Sequence, residues 1–170
     1  MKKIGIYFGS TTGATENIAE QLAEKMAVNS NDIKDVSRFK AEEFLSYDLL
    51  LLGTSTWGDG DLQDDWYDAL DELKLMDLSA KQIGLFGCGD SDSYSDSFCN
   101  GVGELYSALS SCGAQFIGFV STDNYQFHRS TAQKEDHFVG LLLDEDNESS
   151  KSGQRVSSWV EQLKQEAELS

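Results

Sequence analysis

The chain has 170 residues, 13 basic against 30 acidic, so its formal charge is 13 − 30 = −17. That balance makes nucleic acid a poor partner and suits either plain solubility or brief encounters with basic proteins, and the length fits one domain with a substantial core. No apolar run approaches the roughly 18 residues of a membrane span, and nothing near Met1 resembles a signal peptide. Cys88, Cys99 and Cys112 have neither the even count of a disulfide framework nor the paired spacing of a zinc site, so free thiols and a cytoplasmic location are expected.

In chain order, Ile4 to Phe8 is a short apolar run halted at Gly9 and Ser10, as in a buried parallel strand. Ile18, Leu22 and Met26 then lie on one helical face. A weak strand follows at Ile33 to Val36. Asp48 to Gly53, with consecutive leucines from Leu49 to Leu52, reads as a fully buried strand that Gly53 ends. Trp66, Leu70 and Leu73 form a stripe across the acidic stretch Asp61 to Leu75, which predicts an amphipathic helix with its carboxylates outward. Gln82 to Cys88 is a further strand. Val102, Leu105, Leu109 and Cys112 repeat at helical spacing, Gln115 to Val120 is a strand, and Val156, Trp159, Val160 and Leu163 mark a final helix. This alternation, unbroken by any proline, implies a parallel sheet of about five strands with helices on both faces. Ser121 to Leu143 interrupts it and reads as an excursion within or after strand five, with Phe138 to Leu142 resuming that strand.

In such a sheet ligands bind beyond the carboxyl ends of the strands, and three loops leave those ends. The first, Ser10, Thr11, Thr12, Gly13, Ala14 and Thr15, combines hydroxyls, a glycine and the free amides of a helix N-terminus. That combination suits a phosphate held without lysine or arginine, and it also suits an ordinary N-cap. It lacks both the Gly-Lys-Ser/Thr ending of a P-loop and the G-x-G-x-x-G pattern, which disfavours a nucleoside triphosphate or NAD. The second loop, Thr54 to Leu62, sets Trp57 among Gly58, Asp59, Gly60 and Asp61. Its indole either stacks on a planar ligand or folds back on the chain, and the Gly58 peptide can turn over at little cost. The third, Gly87 to Phe98, places Tyr94 among small polar residues and offers Asp90 as an acceptor for a ring N–H. His128 and His137 do not form part of a triad pattern, and no cation stands near Cys88 to activate its thiol.

These loops, taken with Gly53 to Trp57, Gly89, Asp90, Tyr94 and Phe98, Ser121 to Asp123, Tyr125 and Phe127, Phe138 to Gly140, and Leu143 to Asn147, resemble the long-chain flavodoxins over essentially the full length. The resemblance implies an α/β, flavodoxin-like three-layer sandwich whose five-stranded parallel sheet has the order 2-1-3-4-5. It implies a single FMN-binding domain over residues 1–170 with an insertion around residues 121–141. Ser10, Thr11, Thr12, Gly13, Ala14 and Thr15 would hold the FMN phosphate, and Trp57 and Tyr94 would flank the isoalloxazine ring. Ser55, Thr56, Gly58, Cys88, Gly89 and Asp90 would line the ring and ribityl chain. Ser55 stands where the family usually has proline, Ser91 where glutamine commonly follows Asp90, and Ala14 and Asn124 at variable positions; these changes bear on affinity and potential rather than on the cofactor.

The implied function is that of a low-potential one-electron carrier and not an enzyme. It would be a monomer that takes electrons from a basic-faced donor such as an NADPH-dependent flavodoxin/ferredoxin reductase and passes them to a reductase-type acceptor. Asp59, Asp61, Asp90 and Asp92 would make the second electron harder to add, one carboxylate at roughly 8 Å costing about 2 kcal/mol at an effective dielectric of about 20. A flavodoxin-like FMN or quinone reductase shares the fold but needs room over the flavin for a second substrate. A receiver domain of the same strand order needs an acidic pair at strand one, and Lys2 to Gly9 contain none.

Overall fold

The computed structural model describes residues 2–10, 13–57 and 61–169, with the backbone alone at Trp57. Ile4–Gly9 forms β1, and Ala14–Met26 forms α1, which buries Ile18, Leu22 and Met26. Ile33–Asp35 is β2, Ala41–Leu45 a short α2, and Leu49–Trp57 β3. Asp61–Leu62 is β4, Asp65–Leu73 α3, Gln82–Cys88 β5 and Asn100–Leu109 α4. The remainder comprises β6 (Gln115–Ile117), β7 (Val120–Ser121), β8 (Gln133–Lys134), β9 (His137–Phe138), β10 (Gly140–Leu143) and α5 (Ser149–Glu166).

The main sheet runs β2-β1-β3-β5-β10, all parallel, with β6 also paired to β5. This is the order 2-1-3-4-5 with its fifth strand in two pieces. β6 pairs with the first half of β5 as far as Gly84↔Ile117, and β10 takes over at Leu85↔Gly140. Residues 118–139 leave the sheet between those neighbouring positions and fold into a small antiparallel sheet, β7-β9-β8. The leucine run shows why β3 is buried on both sides. Leu50 and Leu52 face one core with Trp66, Leu70, Val102 and Leu105, while Leu49 and Leu51 face the other with Ile18, Leu22, Trp159 and Val160. Successive strand residues point to opposite faces, so helices α3 and α4 cover one side and α1 and α5 the other.

Four expectations change. Gly53 does not end β3: a Cβ there would lie 2.2 Å from the Phe86 ring, so the glycine makes room for an aromatic neighbour in mid-strand. β3 continues because Thr56 and Trp57 pair antiparallel with Leu62 and Asp61. The helix expected from Asp61 therefore begins at Asp65, after that hairpin. Cys112 likewise falls beyond the end of α4, and the strand expected over Gln115 to Val120 breaks after Ile117. Among the described residues no helix is long and apolar enough to cross a membrane.

Candidate functional site

The carboxyl ends of β1, β3, β5 and β10 meet at one edge of the sheet, and the predicted loops gather there. Gly13 adopts φ 93, a left-handed conformation open to glycine, and serves as the N-cap of α1 without a side-chain cap. Its N–H donates to Ser10 Oγ at 3.0 Å, and its carbonyl accepts from Asn17 N at 3.0 Å. Among the described residues the amides of the first turn of α1 therefore have no capping side chain, an arrangement that attracts an anion.

Two hydroxyls at this edge are buried without a partner among the described residues, Thr15 Oγ1 and Ser55 Oγ. An unpaired buried hydroxyl costs about 1–3 kcal/mol, a cost that an incoming acceptor would remove. Thr15 lies beside the Cys88 thiol, which burial pushes up to about 12 while the threonine hydroxyl pulls the other way; no hydrogen bond of ordinary geometry joins the two. Such a thiol stays protonated and inert at neutral pH. Thr56 Oγ1, by contrast, is engaged, accepting from Gly101 N at 3.0 Å and tying the end of β3 to the start of α4.

In the loop after β5, Asp90 Oδ1 accepts from Asp92 N at 3.1 Å, Ser93 N at 3.0 Å and Asn147 Nδ2 at 2.8 Å. The residue expected to accept from a ring N–H thus uses one carboxylate oxygen to shape its own loop. The Ser93 backbone N–H lowers its pKa most, against an opposing effect of burial. Tyr94 follows, 44% exposed, with its N–H donated to Asp90 O at 3.0 Å. An aromatic ring held out from the core in this way is a ready stacking surface.

A cleft of about 270 Å³ brings together Ala14, Ser55, Thr56, Cys88, Gly89, Asp90 and Tyr94. Ser10 and Gly13 stand at its helix-end approach. Thr11, Thr12, Gly58 and the indole of Trp57 lie outside what the structure describes. The cleft is also lined by Ser97, Cys99, Glu145 and Asp146, which the sequence reading did not assign to the site. Glu145 and Asp146 lie one residue past the end of the last strand, beyond Asp144, so the rule that ligands bind past strand ends would have found them. The carboxylates of Asp90, Asp144 and Asp146 lie within 4.8 Å of one another. Burial first, and then Asp90, Asp144 and Glu145, raise the pKa of Asp146.

A larger cleft of about 1250 Å³ lies at the opposite end of the sheet, lined among others by Lys2, Lys3 and Lys81. It faces the amino ends of the strands, where parallel sheets do not bind ligands. Its cations are also engaged. Lys2 Nζ donates to Ala167 O at 2.7 Å, and Lys81 Nζ to Leu45 O and Tyr47 O, both at 2.6 Å.

The fold and the smaller cleft define the class, a doubly wound α/β protein with its site beyond the carboxyl ends of the strands. The family model described as Flavodoxin matches residues 6–159. Flavodoxin 1 of Escherichia coli strain K12 is 39% identical over 166 residues, covering 97% of this chain and 94% of the relative. The flavodoxin of Synechococcus elongatus is 38% identical over 167 residues, covering 98% of each. Among solved structures, Fusobacterium nucleatum flavodoxin bound to flavin mononucleotide aligns with a TM-score of 0.89 at 29% identity, covering 98% of this chain and 99% of that one. The chain belongs to the flavodoxin family. As a member it is an electron carrier that works between redox proteins, and it is not an enzyme.

Proposed function

We propose that the chain binds one FMN non-covalently in the cleft at the carboxyl edge of its sheet and passes single electrons at low potential between basic-faced redox proteins. The observation that carries this reading is the pair of orphaned buried hydroxyls, Thr15 Oγ1 and Ser55 Oγ, beside an uncapped helix N-terminus. Thr15 with Ser10, Thr11, Thr12, Gly13 and Ala14 would make a donor set for the phosphate without any cation, and Ser55 would face the ring and ribityl chain. Trp57 and Tyr94 would flank the flat ring, while Thr56, Gly58, Cys88, Gly89 and Asp90 would line the ring and ribityl chain. FMN supplies the redox chemistry when bound. The chain's own residues orient it, and the carboxylates of Asp90, Asp144, Glu145 and Asp146 oppose added negative charge, which lowers the potential.

The stretch around residues 121–141 is read as the insertion of a long-chain member within a single domain, and the protein as a cytoplasmic monomer. It would accept electrons from an NADPH-dependent reductase and donate them to a reductase-type enzyme. The test is a fluorescence titration of apoprotein with FMN, followed by reductive titration of the complex with absorption read throughout. One FMN per chain and two separate one-electron steps are expected. Failure to bind flavin, a single two-electron step, or steady NAD(P)H oxidation by the isolated protein would overturn the proposal.

A further inference from the structure

Asp144 is fully buried, yet among the described residues no lysine, arginine or histidine pairs with it. Its carboxylate is held by neutral donors alone. Oδ2 accepts from Ser91 N at 3.2 Å, from Ser91 Oγ through a short bond, and from Asn147 Nδ2 at 3.2 Å. Oδ1 accepts from Asn147 N at 3.1 Å and Asn147 Nδ2 at 3.0 Å. The same Asn147 amide donates to Asp90 Oδ1 at 2.8 Å, and Gly89 N donates to Leu143 O at 3.0 Å. A carboxylate buried without a counter-charge is costly unless its hydrogen bonds are well made. Here every one of them joins the end of β10 to itself or to the loop that leads into Tyr94.

We propose that Asp144, acting through Ser91, is a positioning residue that fixes the Asp90–Tyr94 loop against the ring end of the flavin, and that it has no part in holding the phosphate end. This rests on the reading that FMN occupies the cleft. The phosphate end is built on the β1–α1 loop, to which the Asp144 network makes no hydrogen bond among the described residues. Removing the Ser91 hydroxyl should therefore weaken flavin with or without its phosphate by the same factor.

The test compares wild type, Ser91→Ala, Ser91→Thr and Asp144→Asn by fluorescence titration with FMN and with riboflavin, and by visible circular dichroism of the bound flavin. Ser91→Ala should raise both dissociation constants by about tenfold, the loss expected for one hydrogen bond to a charged group. It should also change the flavin dichroism, which apoprotein destabilisation alone would not move. Ser91→Thr, which keeps the hydroxyl, should restore both readouts, and Asp144→Asn should weaken both ligands. Should Asp144→Asn not fold, Ser91→Ala decides. Ser91→Ala binding both ligands as wild type does would overturn the inference, as would a loss confined to FMN. A wild-type chain that bound neither flavin would instead overturn the reading of the cleft itself.

Discussion

The most crowded charge at the site is Asp146, an exposed carboxylate whose pKa is raised first by partial burial and then by Asp90, Asp144 and Glu145. The sign of its effect on stability follows from proton binding. In the folded protein Asp146 keeps its proton to a higher pH than in the unfolded chain, so the folded state binds more protons across that interval. Stability then falls as pH rises through it, and the penalty is complete above the folded value. Asp146→Asn should accordingly raise the melting temperature of the apoprotein at pH 7. Solvent screening limits an exposed pair to a few tenths of a kcal/mol, or about 1–2 °C for a chain of this size. The gain should fade as pH is lowered below the ordinary carboxylate value of about 3.9, where Asp146 carries its proton in the folded and unfolded chains alike. Calorimetry across that range checks it, and a gain independent of pH would point to packing instead of charge. Asp90 has the opposite sign. Its lowered pKa stabilises the loop above the ordinary carboxylate value, and that support is lost as pH falls through the folded one.

Among the elements, the excursion over residues 118–139 is integral to the structure, because its aromatic rings pack on Phe98 just beyond Tyr94. The Phe138 ring lies 6.4 Å from Phe98, 4.8 Å from Tyr125 and 5.2 Å from Phe127, and Phe138 is fully buried. Phe138→Ala should cost about 3–5 kcal/mol in urea unfolding, with the denaturant slope unchanged because the excursion unfolds with the rest. A markedly smaller loss together with a shallower slope would show that it unfolds separately. The excursion also marks how far sequence reasoning reached. α1, β5 and α5 were legible because their apolar periodicities are local, and the leucine run read as buried because nothing polar interrupts it. The continuation of β3 beyond Gly53 was not legible, since it depends on the antiparallel pairing of Thr56 with Leu62 and on the Phe86 ring beside Gly53. The break at Ile117 is equally non-local, being defined only by where β10 rejoins β5. At the site, the loops were legible because they follow strand ends. Asp144 stands in the sequence only as part of the Leu143 to Asn147 run, and its bonds to Ser91 join the ends of β5 and β10 across 53 residues of chain.

At the scale of the whole molecule, the charge of −17 is unevenly placed. Asp61, Asp92, Glu145 and Asp146 are exposed around the carboxyl edge of the sheet, and Asp64, Asp68, Asp71 and Glu72 are exposed on and just ahead of α3. The cleft at the other end is lined by Lys2, Lys3, Lys81 and Lys164 together with Asp32, Asp48, Glu166 and Glu168, so its charges balance. A basic partner approaching from solution is therefore drawn toward the end that holds the candidate flavin site, so encounters are oriented before contact. The reduced protein should transfer electrons to a basic c-type cytochrome at a rate that falls at least tenfold as ionic strength rises from about 10 mM to about 500 mM, since the screening length shrinks from about 30 Å to a few ångströms. Stopped-flow measurement across that range gives the slope. Neutralising the near end with Asp92→Asn and Glu145→Gln should flatten it, whereas Glu168→Gln at the far end should leave it almost unchanged. If near-end and far-end variants flattened the slope equally, steering would come from net charge alone. If the wild-type profile were flat, docking would rest on apolar contact and the acidic edge would serve solubility.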